Sequence, residues 1–345
     1  MSADNYISDQ GLLAHPGPLC DWFDERLGGT AALQLSLVEG GRSNSLFRAE
    51  RMNSHFAIRR PPPIPSDKTS HNLERELRLL TALKQTDVLH ARLLGGCLDE
   101  SLIGGPFVVL EWIEGFRPRD PMPDGFGHDA ALRRTIGEQV IDSLADIAAV
   151  DWQGIGLADF GKPAGFLQRQ VDRWLAQYDR SATRVLPNMQ ETTDWLRANT
   201  PSSGPTALIH GDFSFANVLV RPGPQPEVHV IDWELATIGD PLLDLGHLLS
   251  SWEDRDSGPT WAHYIDWHNG FFSRAEAADR YAQATGFDIR HLQFYIVLAL
   301  FRLAVILEGA YALWVRGQAG NAHHATYAER VPAILAQAGR EIRHI

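Results

Sequence analysis

Apolar positions recur along this chain with two different periods, and the switch from one to the other divides it. Pro16 to Leu27 carries Leu19, Trp22, Phe23 and Leu27 on one side, with Gly28 at its end, which predicts a short helix. Leu33, Leu35 and Leu37 then alternate as in a half-buried strand. Gly40-Gly41 breaks that strand, Ser45 to Glu50 returns as a second, and His55 to Arg59 is a short third that Pro61-Pro62-Pro63 ends. HNLERELRLLTALK, residues 71–84, takes up the helical period, and Phe107 to Glu111 is again a strand. Residues 30–113 are therefore strand-rich with one main helix.

After Gly115 the helical period takes over. A link containing proline and glycine, Pro118 to Gly127, leads to a stripe of Leu132, Ile136, Val140, Leu144 and Ile147, and a second stripe follows at Leu167, Val171, Trp174 and Tyr178. Ser273 with Glu276 has the spacing of a capping box, and Asp288 is placed to cap a long helix through Leu313. The apolar run inside that helix, Phe294 to Leu307, is 14 residues long and contains Arg302, too short to span a bilayer and suited to a buried helix. One β-like island, residues 207–233, interrupts the helices, with VLV and VHVID on either side of the turn RPGPQPE. The pattern predicts an α+β chain: a small lobe at 1–113 with an antiparallel sheet, a connection at 110–115, and a larger, mostly helical lobe at 114–345.

Composition narrows the classes of function. With 31 Lys and Arg against 43 Asp and Glu, the 345-residue chain carries a net charge of −12, a poor match to nucleic-acid binding, which needs a phosphate-neutralising basic surface. The only cysteines, Cys20 and Cys97, give neither a zinc cluster nor a disulfide framework and are expected to be reduced. MSADNYISDQ has neither the basic region nor the apolar run of a signal peptide, so the expected location is cytoplasmic, with no membrane partner.

The sharpest chemical signal is His210-Gly211-Asp212-Phe213-Ser214-Phe215-Ala216-Asn217, followed by Val230-Ile231-Asp232-Trp233-Glu234. An Asp, an Asn five residues later and a second Asp beyond a hairpin form the set that phosphoryl transfer uses. One carboxylate accepts a hydroxyl proton, while an amide oxygen and another carboxylate hold magnesium on the phosphates of ATP. Asp212 is the candidate base, with Asn217 and Asp232 as the candidate metal ligands. His210 suits a packing role in the loop. Asp240 and Asp244, in GDPLLDLG, suit capping of the next helix and orientation of the loop.

HGDFSFANVLV and VIDWELATIGDPLLDLGHLL resemble the aminoglycoside-phosphotransferase-like kinases, and within them the branch that includes the kinase-like domains of acyl-CoA dehydrogenase family members 10 and 11. GLADFG at 156–161, RQVDRW at 169–174 and LFRLAVILEG at 300–309 are similar to the same branch. The resemblance spans about residues 25–320. It implies a two-lobe protein-kinase-like fold and ATP-dependent transfer to a hydroxyl.

The other parts of such a site have candidates. Arg59 ends the strand HFAIR where many kinases carry Lys, with Arg60 as its rival. On the helix at 71–84, Glu76 lies at the edge of the stripe formed by Leu73, Leu77 and Leu80, whereas Glu74 points away, so Glu76 is the expected partner of Arg59. The glycine-containing turn at 39–45 offers backbone N–H groups to phosphates, and Ser43 and Asn44 are candidate donors. By resemblance, the Glu111 carbonyl and the Ile113 N–H contact adenine. Ser214 stands where many relatives carry a basic residue.

The acceptor is less defined. Asp244 follows Asp232 by only 12 positions, which leaves no room for the activation loop and peptide platform of a protein kinase, so a small-molecule hydroxyl is expected. Arg169, Arg173, Arg302 and Glu308 sit in or beside apolar stripes and either pair internally or bind the acceptor. By resemblance the first expectation is a hydroxyacyl-CoA or related hydroxy acid. An aminoglycoside-type acceptor and a catalytically silent nucleotide-binding module are the alternatives. Dehydrogenase chemistry is not expected, since the two kinase lobes that the resemblance implies take up these residues and leave no flavin site among them.

Overall fold

A computed structural model describes residues 7–38, 44–61, 73–119, 121–255, 258–262, 270–318 and 322–343. They fall into two compact units. One is Met1–Glu114 with Gly154–Leu157 and His229–Leu235; the other is Gly115–Gln153, Ala158–Val228 and Ala236–Ile345.

In the first unit, helices α1 (Asp9–Ala14) and α2 (Gly17–Leu27) precede a five-stranded antiparallel sheet. Its strands are β1 (Gln34–Leu37), β2 (Ser45–Arg51), β3 (Ser54–Arg60), β4 (Leu93–Cys97) and β5 (Phe107–Glu111), in the order β1-β2-β3-β5-β4, with α3 (Leu73–Leu83) between β3 and β4. The pleat alternates side chains across this sheet. Ile58 pairs with Phe47 and Val109, and all three join Leu12, Trp22 and Phe23 in the core beneath α1 and α2. Arg59 pairs with Leu46 and Val108 and projects from the other face. Arg60 returns to the core side. There it is fully buried, donates to the carbonyls of Ile7 (2.9 Å) and Ile103 (2.8 Å), and pairs with the Asp9 carboxylate. That network ties down α1, a helix the apolar pattern does not reveal.

β4 was not expected either, since LLGGC holds two glycines and glycine is a weak strand former. Close packing on both faces explains them. A Cβ on Gly95 would lie 2.7 Å from the Trp22 ring, and one on Gly96 would lie 2.6 Å from Leu77 of α3. Leu77 is half-buried against that gap, and the inward face of α3 is instead Leu73, Glu76, Leu79, Leu80, Ala82 and Leu83.

The second unit is mostly helical: α4 (Ala130–Ala149), α5 (Gln170–Ser181), α6 (Met189–Asn199), α7 (Leu242–Ser250), α8 (Arg274–Thr285), α9 (Leu292–Val315) and α10 (Tyr327–Arg343). Strand β6 (Ala207–Ile209) pairs antiparallel with β9 (Thr237–Gly239), and β7 (Val218–Arg221) forms a two-stranded hairpin with β8 (Glu227–Val230). The expected capping box at Ser273 and Glu276 is present at the start of α8. α9 has the length and composition to cross a membrane, but α5, α6, α7 and α10 pack around it and make it the central helix of this unit. It is 24 residues long and starts later than the sequence suggested. Asp288 caps a turn by accepting from the Arg290 N–H (3.0 Å), and the helix begins after His291. α7 approaches α9 closely at Gly246, where a Cβ would lie 2.5 Å from the Tyr295 backbone. The mixed α+β architecture, with its antiparallel N-terminal sheet and helical C-terminal region, is the expected one. α6 and α10 were not anticipated.

Candidate functional site

The first unit builds an ion-pair cluster around Arg59. β3 aims Arg59 away from the core, and α3 presents Glu76, 5% exposed, to meet it. The second guanidinium nitrogen donates to Asp232 Oδ1 at 2.9 Å and lies 3.7 Å from Glu234. The segment carrying these acids is anchored in the same unit, since the Val230 N–H donates to the Leu89 carbonyl (2.9 Å) and Trp233 meets His90 edge-on at 6.3 Å. Glu74 is exposed on the outer side of α3. Of the two candidate arginines, Arg59 meets this cluster while Arg60 serves the core.

Asp232 adopts φ +68°, in the left-handed region that non-glycine residues occupy at a cost of about 1 kcal/mol or more. The surrounding contacts hold it there and turn its carboxylate toward Arg59. One guanidinium thus meets three carboxylates.

Asn44, expected to donate to phosphate, donates from Nδ2 to Glu234 Oε2 at 3.0 Å. Ser43 and Gly40-Gly41 lie outside the described residues. Glu111 ends β5 with its N–H on the Arg92 carbonyl (2.9 Å) and its side chain on Arg92 (2.8 Å), and Ile113 is buried.

The second unit builds the loop that follows β6. Gly211 takes φ +85°, a turn that suits glycine. Asp244 on α7 accepts the N–H groups of His210 (2.6 Å) and Gly211 (2.8 Å), and Arg302 on α9 donates to the Gly211 carbonyl (3.1 Å). Fully buried His210 accepts the Asp212 N–H at Nδ1 (3.3 Å). The loop backbone is therefore held by charged groups from two helices.

Asp212 emerges from this frame with its side chain 44% exposed, so a substrate can reach it. Asn217 Nδ2 donates to both the Asp212 carbonyl (2.9 Å) and Oδ2 (2.8 Å), while His247 Nε2 lies 3.1 Å from Oδ1. Burial raises the Asp212 carboxyl pKa, but the His247 hydrogen bond and charge outweigh it, helped by His210 and Arg302, and the net shift is below the ordinary carboxylate range. Asp244 shifts the other way, pushed up by burial against the pull of His210, the two N–H groups and Arg302. Asp240 is pushed up to about 6 by burial, against the Tyr295 hydroxyl and the Leu242 N–H that both donate to it.

His247 was not among the expected site residues, yet a signal existed. It follows Asp244 by three positions, one helical turn on the same face, so a helix that brings Asp244 to the loop brings His247 as well.

The four candidate acceptor residues separate. Glu308 is fully buried, and Arg184 takes both its oxygens (2.7–3.1 Å), so it is an internal ion-pair partner rather than a ligand group. Arg302 is not its partner; it serves the loop, and its guanidinium lies 5.3 Å from the centre of the Trp174 ring. Exposed Arg169 donates to the carbonyls of Ala164 and Lys162. Arg173 is exposed and lies 5.5 Å from the centre of the Trp174 ring. It alone among the four has neither an ion pair nor a carbonyl partner among the described residues.

The chain is similar to known proteins. A model of the phosphotransferase enzyme family matches residues 34–295. Acyl-CoA dehydrogenase family member 11 of Mus musculus is 31% identical over 293 residues, covering 83% of this chain and 37% of its own length. Acyl-CoA dehydrogenase family member 10 of Mus musculus is 30% identical over 297 residues, covering 85% of this chain and 28% of its own. The chain thus spans only about a third of the length of these relatives. The crystal structure of a candidate aminoglycoside phosphotransferase from Ralstonia eutropha JMP134 is 30% identical, covers 95% of this chain and 98% of its own, and superposes with a TM-score of 0.81.

Proposed function

This chain belongs to the phosphotransferase enzyme family, and on that premise we propose that it moves the γ-phosphoryl group of ATP to a hydroxyl of a small molecule. The observation that carries the reading is the Asp212 carboxylate, accessible to substrate yet gripped on both oxygens, in a loop fixed by Asp244 and Arg302. Phosphoryl transfer passes through a loose transition state and asks for positioning and charge stabilisation more than for a strong base. With its pKa held low, Asp212 is anionic at neutral pH. It accepts a hydrogen bond from the acceptor hydroxyl, aims that oxygen at the γ-phosphorus, and takes the proton as the new P–O bond forms. The bond to the β–γ bridging oxygen breaks, and ADP leaves with its electron pair.

Arg59 has the role of a phosphate clamp. Its guanidinium forks between Glu76 and Asp232, a two-sided geometry that a lysine ammonium does not reproduce. Asn217 and Asp232 are assigned to magnesium by the family resemblance: each carries a hard oxygen ligand, and the carboxylates gathered around Arg59 suit a cation. Magnesium, when bound, neutralises charge on the β- and γ-phosphates. The Glu111 carbonyl and Ile113 N–H are assigned to adenine.

The acceptor is small. From Asp232 the chain runs through a single turn at Trp233–Leu235 and the short β9 into α7, with no segment to hold a peptide. Exposed Arg173 favours an anionic acceptor, and a hydroxyacyl-CoA or related hydroxy acid carries the required carboxylate or phosphate charge. The test is turnover of MgATP with a panel of hydroxyacyl-CoA thioesters and, as the contrasting arm, aminoglycosides. Asp212→Ala is expected to abolish transfer with the fold intact. Full turnover by that variant would remove the base assignment.

A further inference from the structure

Every kinase-type base must present its carboxylate in one orientation, but the terminal torsion of an aspartate is broad and two-fold, so the backbone alone does not set it. In this chain each Asp212 oxygen has its own grip, from different elements. Asn217 reaches Oδ2 from within the loop (2.8 Å), and His247 reaches Oδ1 from α7 (3.1 Å). We propose that His247 is a positioning residue for the phosphoryl-transfer base, donating from Nε2 to fix the Asp212 carboxylate while leaving lone pairs on both oxygens for the acceptor hydroxyl. The proposal rests on the reading of Asp212 as the base.

The imidazole is built to hold one direction. Its side chain is 8% exposed, and its ring lies 6.3 Å from that of Trp261 at an interplanar angle of 34°. Trp261 is fixed in turn: its indole N–H donates to Ser250 Oγ (3.2 Å) and its backbone N–H to Gln337 Oε1 (3.0 Å). Ser250 belongs to α7, as His247 and Asp244 do, so one helix carries both the group that fixes the loop backbone and the group that fixes the base. A carboxylate has about four lone-pair sites, and the two grips leave the rest for substrate.

The experiment compares His247→Phe, which keeps a ring but removes the donor, with His247→Gln, which keeps a donor of similar reach. The probe is MgATP with water as acceptor, followed by phosphate release, alongside melting temperature. His247→Phe is expected to lower kcat about 10- to 100-fold, the cost of a misplaced reacting group, with KM for MgATP within about twofold of wild type. His247→Gln is expected to recover most of that loss. Wild-type kcat in His247→Phe, or equal losses in both variants that track their melting temperatures, would overturn the proposal.

A second readout does not depend on turnover. The ¹⁵N-imidazole spectrum of the full chain should show a His247 Nε2–H protected from solvent exchange, and that protection should disappear in folded Asp212→Ala. An unchanged His247 signal in that variant would also overturn the proposal. Retained turnover in Asp212→Ala would refute the base reading instead, so the two failures are distinguishable.

Discussion

Replacing Asp244 by alanine takes away the acceptor of two backbone N–H groups at once. Asp244 is 1% exposed and accepts from His210 at 2.6 Å and Gly211 at 2.8 Å. Hydrogen bonds to a charged group contribute about 1.5–3 kcal/mol each, and a buried donor left without its acceptor costs its desolvation, so the gross loss is about 3–6 kcal/mol. Burial pushes the Asp244 carboxyl up, which shows that the folded state already bears part of the cost of that charge; its removal returns some of the loss. The net expectation is about 2–4 kcal/mol. The midpoint of urea unfolding, followed by circular dichroism at unchanged slope, measures it. Asp244→Asn keeps one acceptor and should fall between alanine and wild type. MgATP turnover at a temperature where both proteins are folded should drop in Asp244→Ala as well, because the same contacts shape the loop that carries Asp212. A stability loss below about 1 kcal/mol would refute the view that this carboxylate holds the loop.

Asp240, 3% exposed, is pushed up to about 6 from 3.8, so the stability linked to its proton is full below about pH 4 and is lost as pH rises through 6, a change of about 3 kcal/mol. Asp240→Asn should remove that slope, so that unfolding free energies measured between pH 4 and 7 diverge from wild type by about 2–3 kcal/mol; parallel profiles would contradict the assignment. Glu308→Ala should destabilise by about 3 kcal/mol in chemical denaturation, because it strips both oxygens from Arg184 inside the second unit, and a neutral outcome would argue against the ion pair. Gly96→Val should cost about 1–3 kcal/mol and lower the melting temperature, since its Cβ meets Leu77 at 2.6 Å and the Phe107 carbonyl at 3.0 Å; an unchanged melting temperature would refute that crowding.

What the sequence made legible was whatever rests on short-range periodicity. The alternation of HFAIRR separates Arg59 from Arg60, and the two residues do face opposite sides of the sheet. The helical period separates Glu76 from Glu74 in the same way. The Ser273 capping box is a local motif and forms as written. The readings that failed depend on contacts distant in sequence. β4 is a strand because Trp22 and Leu77 need the space its glycines leave, and propensity opposes it. α1 is held by Arg60, some fifty positions away, and has too few apolar residues to declare itself. Whether Glu308 pairs internally or binds the acceptor was open in the sequence, because its partner, Arg184, comes from the segment between α5 and α6, more than a hundred positions earlier. Asp288 has a capping side chain but uses it on a turn, and nothing local distinguishes that turn from a helix start. His247 was visible only to a reader who first placed Asp244 on the loop.

The nucleotide site is tested most directly by calorimetric titration of ATP into the wild-type chain and Asp232→Ala, each with and without magnesium. Wild type should bind ATP only with magnesium, and Asp232→Ala at least tenfold more weakly with the fold intact. ATP binding that ignores both magnesium and Asp232, or no binding at all by the folded wild type, would contradict the nucleotide-site assignment.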